Sequence, residues 1–490
     1  MSELLTRREA ALDALLAVDT RAAYAAQAVD AALNRRRLAA RARAYVTETV
    51  YGTLRRRGTI DWMLGLCSRR PVESLHPVVR NALRLAVYET CWLDTVPGPV
   101  ACHEAVELVK RRGQGRAAGF VNAVCRAVLR RQEAGDWPWP SADEDPVEAL
   151  AVVTSHPRWL VRRWVERFGI EEAKALCEAN NETPPLHIRT NTLKIQRGAL
   201  AEMLEAAGAE VALGPLAPEA LHVRGLGSVP ESPAFRAGLF TVQDEGAQLV
   251  SRALAPEPGQ RVIDLCAAPG GKTTHLAELM QNQGEIVAVD VHENKLKLVR
   301  ENAARLGIGI IETVAGDGRA MPARLAPAHR VLVDAPCTGL GVVRRRPDLR
   351  WRPREEALEP LSRQQEELLA AAAELTLPGG VIVYSTCTIE PEETVDVVRR
   401  FLERHPAFTA DPAPAAAVPA DVGGFLYPHR HGTDGFFIAR LRRSARGGLR
   451  RPPPAVFPGA LRNKVGPPRK RRAEVERRNQ TSLNFSARGG

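Results

Sequence analysis

Between residues 261 and 441 short apolar runs alternate with helical periods, and this alternation constrains the fold more than any other feature. "RVIDLCA", "EIVAVDV", "IETVAGD", "RVLVDAPC", "VIVYSTC" and "GFFIARL" read as strands, with helices over 273–282, 293–306, 361–376 and 392–404 among them. Alternating strands and helices build a doubly wound, mostly parallel sheet, because each parallel pair needs a crossover long enough to cover one face. Such sheets bind ligands in the crevice beyond the carboxyl ends of their strands.

Upstream the pattern changes. Apolar residues at three- and four-residue spacing, as in "RLAARARAYVTETVYGTLRR" and "HPVVRNALRLAVYETCWL", predict an all-helical domain over 1–135. A stretch rich in Pro, Gly and acids, "EAGDWPWPSADEDP", places a linker at 136–148. Residues 149–236 mix a helix pair with the strand "LHIRTNTLK" and short strands such as "ALHV", so they read as a small accessory α+β subdomain. The α/β domain then spans 237–441, and 442–490 read as a disordered cationic tail.

That tail carries most of the charge. Residues 441–490 hold 14 Lys+Arg against 2 Asp+Glu in a chain of net charge +11, which leaves the body near neutral. A segment of this composition neutralises phosphates without folding. Hydrophobic residues at 45 % and charged residues at 26 % are the balance of a chain that folds in water. No apolar run approaches about 18 residues and the first helix carries acids, so no membrane span or cleaved leader is expected, and the location is cytoplasmic. The eight cysteines include no C-x-x-C pair, so neither a metal site nor a disulfide framework is predicted.

"DLCAAPGGKTTHL", 264–276, follows the first strand of the α/β domain and opens its first helix. A P-loop would need glycine where Cys266 stands, and the G-x-G-x-x-G of dinucleotide sites is absent. The reading that remains is an S-adenosylmethionine site. Its turn would be Cys266, Ala267, Ala268, Pro269, Gly270, Gly271 and Lys272, with Asp290 accepting from ribose hydroxyls and Asp317 beside the adenine. Each acid alone reads as an ordinary cap or turn residue. Three acids ending successive strands beside a Gly-rich turn point to a ligand.

Two further strands end in thiols, Cys337 in "DAPCTGLG" and Cys387 in "VYSTC". Together with "RRRPDLRW", "TIEPEE" and "DGFFIARL", in this order, these segments resemble the RNA cytosine-C5 methyltransferases of the Sun/Fmu family over about residues 5–440. "HEAVELVK" and "GFVNAV" make the N-terminal helices similar to a NusB-like RNA-binding domain. The resemblance implies a class I S-adenosylmethionine-dependent methyltransferase fold behind that helical domain. It implies Cys387 as nucleophile, Cys337 in product release and Asp334 as a further cofactor contact. Thr388 and Thr394 depart from the family's commoner Ser and Asn, at positions with no proposed chemical role.

The chemistry explains why such residues are needed. Carbon 5 of cytosine is a poor nucleophile, and a thiolate added at C6 gives the ring enamine character. A protonated Asp334 in a sparingly solvated pocket would stabilise the adduct at N3, and a second thiol would help to clear it. The expected partner is RNA bearing an unpaired or flipped cytosine, and the NusB-like fusion suggests small-subunit rRNA. DNA is not expected, since the DNA enzymes use the Pro-Cys thiol as nucleophile; the enzyme is expected to be a monomer. Alternatives are the same chemistry on tRNA or large-subunit rRNA, and a noncatalytic RNA-binding assembly factor. Arg344, Arg345 and Arg346 are expected to hold phosphates near the cleft, and Arg189, Asn191 and Lys194 to contact RNA.

Overall fold

The computed structural model describes residues 3–36, 38–412, 414 and 416–445. Its N-terminal part is helical: α1 Glu3–Arg21, α2 Ala25–Arg35, α3 Ala40–Arg55, α4 Arg57–Cys67, α5 Pro77–Trp92, α6 Gly98–Val109 and α7 Ala118–Ala134. The three- and four-residue spacing of their apolar positions feeds two cores, one around Leu12, Leu15 and Val46, the other around Leu64, Leu83 and Val121. The linker that follows is strapped down. Trp139 stacks on Trp62 of α4 with centroids 4.7 Å apart, and Trp137 packs on the same ring at 6.2 Å.

Helices α8 Pro146–Thr154, α9 Arg158–Phe168 and α10 Ile170–Ala179 follow. Their Leu150, Leu160, Trp164 and Leu176 are buried in one core with Val331 and Tyr384 of the large sheet. A small antiparallel sheet comes next, of β1 Leu186–Thr190, β2 Glu210–Leu213, β3 Ala220–Arg224 and β4 Phe240–Val242, in the order β2-β3-β1-β4. Helix α11, Arg197–Ala206, covers it with Leu200 and Leu204 against Ile188 and Phe240.

The large sheet contains β5 Arg261–Asp264, β6 Glu285–Asp290, β7 Ile311–Ala315, β8 Ala328–Asp334, β9 Thr376–Thr386, β10 Phe408–Ala410, β11 Val418–Pro419, β12 Gly424–Leu426 and β13 Phe436–Arg443. Its order is β11-β12-β13-β9-β8-β5-β6-β7, with β10 on β13. Strands β5 to β9 pair in parallel and β13 runs antiparallel to β9. This is the doubly wound, mostly parallel architecture expected. The chain runs outward from β5 through β6 and β7, then returns to place β8 on the other side of β5. That reversal opens the crevice in which such sheets bind ligands.

The segment "RRRPDLRW" ties the parts together. Arg350 is fully buried and donates to the carbonyls of Arg55, Ser155 and Asn180 and to Oδ1 of Asn181. Trp351 donates from its indole to the carbonyl of Leu54 in α3, 3.1 Å away. Among the described residues no helix is long and apolar enough to cross a membrane. From residue 446 onward the expected basic tail lies outside the described residues.

Candidate active site

A cleft of about 740 Å³ opens at the carboxyl ends of β5, β6, β8 and β9. Cys266, Ala268, Pro269, Asp290, Asp317, Asp334, Cys337 and Cys387 all line it. Ala267, Gly270, Gly271 and Lys272 stand just behind and hold the turn in shape. Gly270 has φ +99° at the entry to the helix Gly271–Leu279, and an added Cβ would meet Val299 at 3.1–3.3 Å, so only glycine fits there.

The cofactor side of the cleft is built from strand-terminal acids. Asp290 ends β6, and its two oxygens accept from the backbone N–H of His292 at 2.9 Å and of Ala268 at 3.3 Å. Each oxygen retains a lone pair, so this half-exposed carboxylate suits the paired hydroxyls of a ribose. Asp317 lies two residues past β7; its carboxylate accepts from the Arg319 guanidinium and backbone, which holds its pKa below the usual range. The loop's glycines, the two acids and the room beside them fit S-adenosylmethionine.

The two thiols meet on the opposite wall. Their sulfurs are 3.4 Å apart, because β8 and β9 are paired neighbours in register Asp334↔Ser385 and the loops beyond them are sewn together. Gly341 donates to the carbonyl of Cys387 at 3.0 Å and accepts from Gly435 at 2.8 Å. A Cβ on Gly341 would fall 2.1 Å from the Gly435 oxygen. The hydrogen bond with Cys387, followed by burial, raises the Cys337 thiol well above its ordinary pKa. Cys337 therefore keeps its proton and can donate to the sulfur of Cys387. Burial likewise raises Cys266, whose acidic neighbours add to the effect, so this third thiol is unreactive.

Asp334 departs from expectation. Its Oδ2 accepts from Lys272 Nζ at 2.6 Å and its Oδ1 from Ser385 Oγ at 2.8 Å. Two donors, one of them an ammonium, thus occupy both oxygens of Asp334, and Lys272 stands where it can supply the proton that the sequence asked of Asp334. Burial opposes the charge on Lys272, but Asp334 and then Cys387 hold its pKa above the ordinary range.

The arginine run is divided among three tasks. Arg344 is buried and donates to the carbonyls of Gly432 and Thr433. Arg345 bridges Asp244 and Asp434 at 3.0 and 3.2 Å. Arg346 alone of the three lines the cleft. The expected RNA contacts of β1 are also corrected. Arg189 is fully buried in a bidentate pair with Glu278, Asn191 donates to the carbonyls of Gly238 and Leu306, and Lys194 donates to those of Ala237 and Arg305. These residues weld the small sheet to the large one.

Several supporting residues escape a sequence reading. Asp264 is buried where β5 ends, accepts from Thr273 Oγ at 2.8 Å, and has its pKa pushed up by burial to about 7. Glu393 accepts from the backbone and hydroxyl of Thr338, at 2.9 and 2.5 Å, and from Gln365 at 3.1 Å. It thereby fixes the residue beside Cys337. The "EPEE" run marks Glu393 only as one acid among three; its burial is a tertiary fact.

Comparison with known proteins agrees with this geometry. Residues 251–442 match the family model described as 16S rRNA methyltransferase RsmB/F, residues 5–130 match the NusB family, and 156–230 match the ferredoxin-like domain of RsmF/B-like methyltransferases. The chain is 38 % identical over 445 residues to the Bacillus subtilis protein named "Probable ribosomal RNA small subunit methyltransferase B", covering 89 % of this chain and 98 % of that one. The crystal structure of PH0851 superposes with a TM-score of 0.79 at 31 % identity, covering 90 % of this chain and 99 % of that one. NSun6 from Pyrococcus horikoshii, solved with SFG, gives a TM-score of 0.54 at 28 % identity over 59 % of this chain and 98 % of that one.

Proposed function

The chain belongs to the 16S rRNA methyltransferase RsmB/F family and depends on S-adenosylmethionine; from that premise we propose that it forms 5-methylcytosine in small-subunit rRNA through a covalent cysteine adduct. The observation that carries this reading is the pair of sulfurs 3.4 Å apart in one cleft with three strand-terminal acids. A methyltransferase that used the cofactor alone would need no thiol at that wall.

Cys387 adds as thiolate to C6 of the cytosine, and the carbon–sulfur bond raises electron density at C5. Bound S-adenosylmethionine, held by the turn 266–272 with Asp290, Asp317 and Asp334, supplies the methyl group that C5 takes up. Lys272 and Asp334 together hold the proton that balances charge on the ring, with Lys272 as its donor. Transfer of the C5 proton to solvent re-forms the C5=C6 bond and expels Cys387 as thiolate, N3 returns its proton to Lys272, and Cys337, which keeps its own proton 3.4 Å away, donates a hydrogen bond to the leaving sulfur. A groove between α6 and α7 lined by Lys110, Arg126 and Arg130 supports an RNA partner, since phosphate neutralisation needs such cations.

The test is a denaturing gel of Cys337→Ala, Cys387→Ala and the double variant with S-adenosylmethionine and unmodified small-subunit rRNA. A protein–RNA band in Cys337→Ala that disappears in the double variant supports the reading. A band on tRNA alone would reassign the substrate, and a band in Cys387→Ala alone would exchange the roles of the thiols.

A further inference from the structure

The active-site cleft is not made by the catalytic domain alone. Tyr24, in the turn between α1 and α2, lines it together with Arg346 and Arg352. Its ring is 41 % exposed, and the guanidiniums of Arg346 and Arg352 lie 4.6 and 4.3 Å from its centroid. The two arginines differ in what else holds them. Arg352 pairs with Asp348 at 3.2 Å and donates to the carbonyl of Ala23, which fixes the turn that carries Tyr24. Arg346 is exposed, and among the described residues no carboxylate lies within ion-pair distance; the Tyr24 ring is its contact.

An aromatic ring and an unneutralised guanidinium, side by side at the wall of a cleft that also holds the reactive thiols, are the two groups that grip a single nucleotide. The ring offers a stacking face that tolerates any base, and the cation meets a phosphate. Resting on the RNA reading above, we propose that Tyr24 and Arg346 bind the nucleotide next to the target cytosine, its base against Tyr24 and its phosphate on Arg346. The N-terminal helical domain thus supplies part of the catalytic cleft and acts on the same nucleotides as the thiols, not only on distant RNA.

This is tested in the full-length protein with Tyr24→Ala, Tyr24→Phe, Arg346→Ala and Arg346→Lys, using methyl transfer from labelled S-adenosylmethionine to small-subunit rRNA. Loss of a stacking face is expected to raise KM for RNA about 10-fold in Tyr24→Ala, with Tyr24→Phe near wild type. Arg346→Ala should lower the slope of log affinity against log salt by about 1, and Arg346→Lys should restore it. Affinity for S-adenosylhomocysteine should be unchanged throughout. Unchanged KM and salt slope would overturn the proposal, as would a parallel loss of cofactor affinity and melting temperature, which marks a merely structural contact. A wild-type protein that methylates no RNA would instead sink the reading on which the proposal rests.

Discussion

The sulfurs of Cys337 and Cys387 stand 3.4 Å apart although fifty residues separate them in the chain. No turn of local structure brings them together; the pairing of β8 with β9 does, and the Gly341–Cys387 backbone bond closes the last gap. Such proximity has a redox consequence. A mild oxidant such as diamide, which takes up both thiol hydrogens, is expected to join the two sulfurs and abolish methyl transfer, and dithiothreitol to restore it. Peptide mapping checks the assignment: full activity after diamide with both thiols still open to alkylation would contradict it.

Lys272 and Asp334 carry the second prediction. Asp334→Asn keeps the shape but removes the charge that holds the Lys272 ammonium in place, and Lys272→Met removes the proton donor. Each is expected to lower kcat by about 10² to 10⁴, the range for a positioned proton-transfer group. Affinity for S-adenosylhomocysteine should also fall with Asp334→Asn, which removes a cofactor contact as well as the partner of Lys272. Normal turnover in Lys272→Met would show that the ring proton comes from elsewhere.

Glu393 acts at one remove. Its two carboxylate oxygens take three donors, and truncation to alanine leaves all three without a partner. Glu393→Ala therefore frees the Thr338 backbone and hydroxyl and the Gln365 amide and shifts the loop that carries Cys337. Displacement of that order at a reacting group costs about 10²-fold. The expected signature is a lower kcat and a longer-lived covalent RNA adduct, with S-adenosylhomocysteine affinity intact. A variant with normal adduct turnover would reduce Glu393 to a packing role.

The fold class and the ends of the catalytic strands were legible because period-two and apolar patterning, Gly270–Gly271 and the strand-terminal acids are local signals. What was not legible depends on partners far away in sequence. Arg189 and Asn191 look like part of a cationic RNA-facing strand, yet both are buried and Glu278 and the carbonyls of residues 238 and 306 take their donors, while the exposed Lys194 gives two of its three N–H groups to the carbonyls of residues 237 and 305. Three consecutive arginines at 344–346 look alike, and only tertiary contacts with Asp244, Asp434 and Gly432 tell Arg346 from the other two. Asp334 was expected to stabilise the adduct if protonated, and the sequence does not show that Lys272 stands beside it.

Arg350 gives a stability prediction. Its guanidinium is wholly buried with no carboxylate partner among the described residues, and burial brings its pKa down to about 9. It satisfies four acceptors drawn from α3, the end of α8 and the end of α10. Arg350→Met would leave these four acceptors dry and unpaired, a loss of about 4 kcal/mol or more at 1–3 kcal/mol per group. Melting temperature should drop by several degrees and RNA binding with it, because the helical domain loses its clasp. A melting curve within a degree of wild type would show that water replaces the guanidinium.

His275 predicts the acid limb of stability. It lies fully buried in the helix Gly271–Leu279, both ring nitrogens lack a hydrogen-bond partner, and burial, with Arg189 and Arg252 nearby, holds its pKa well below 6.5. A base depressed in the folded state binds its proton more readily when unfolded, so its contribution is present above pH 6.5 and is lost as pH falls below that value. The loss runs at about 1.4 kcal/mol per pH unit while the folded form stays neutral. His275→Leu, close in volume and without titratable nitrogen, should lose less stability than wild type between pH 7.5 and 5.5, by about 1 kcal/mol. Urea unfolding at the two pH values measures the difference, and parallel losses in the two proteins would mean that His275 is protonated without penalty in the folded state.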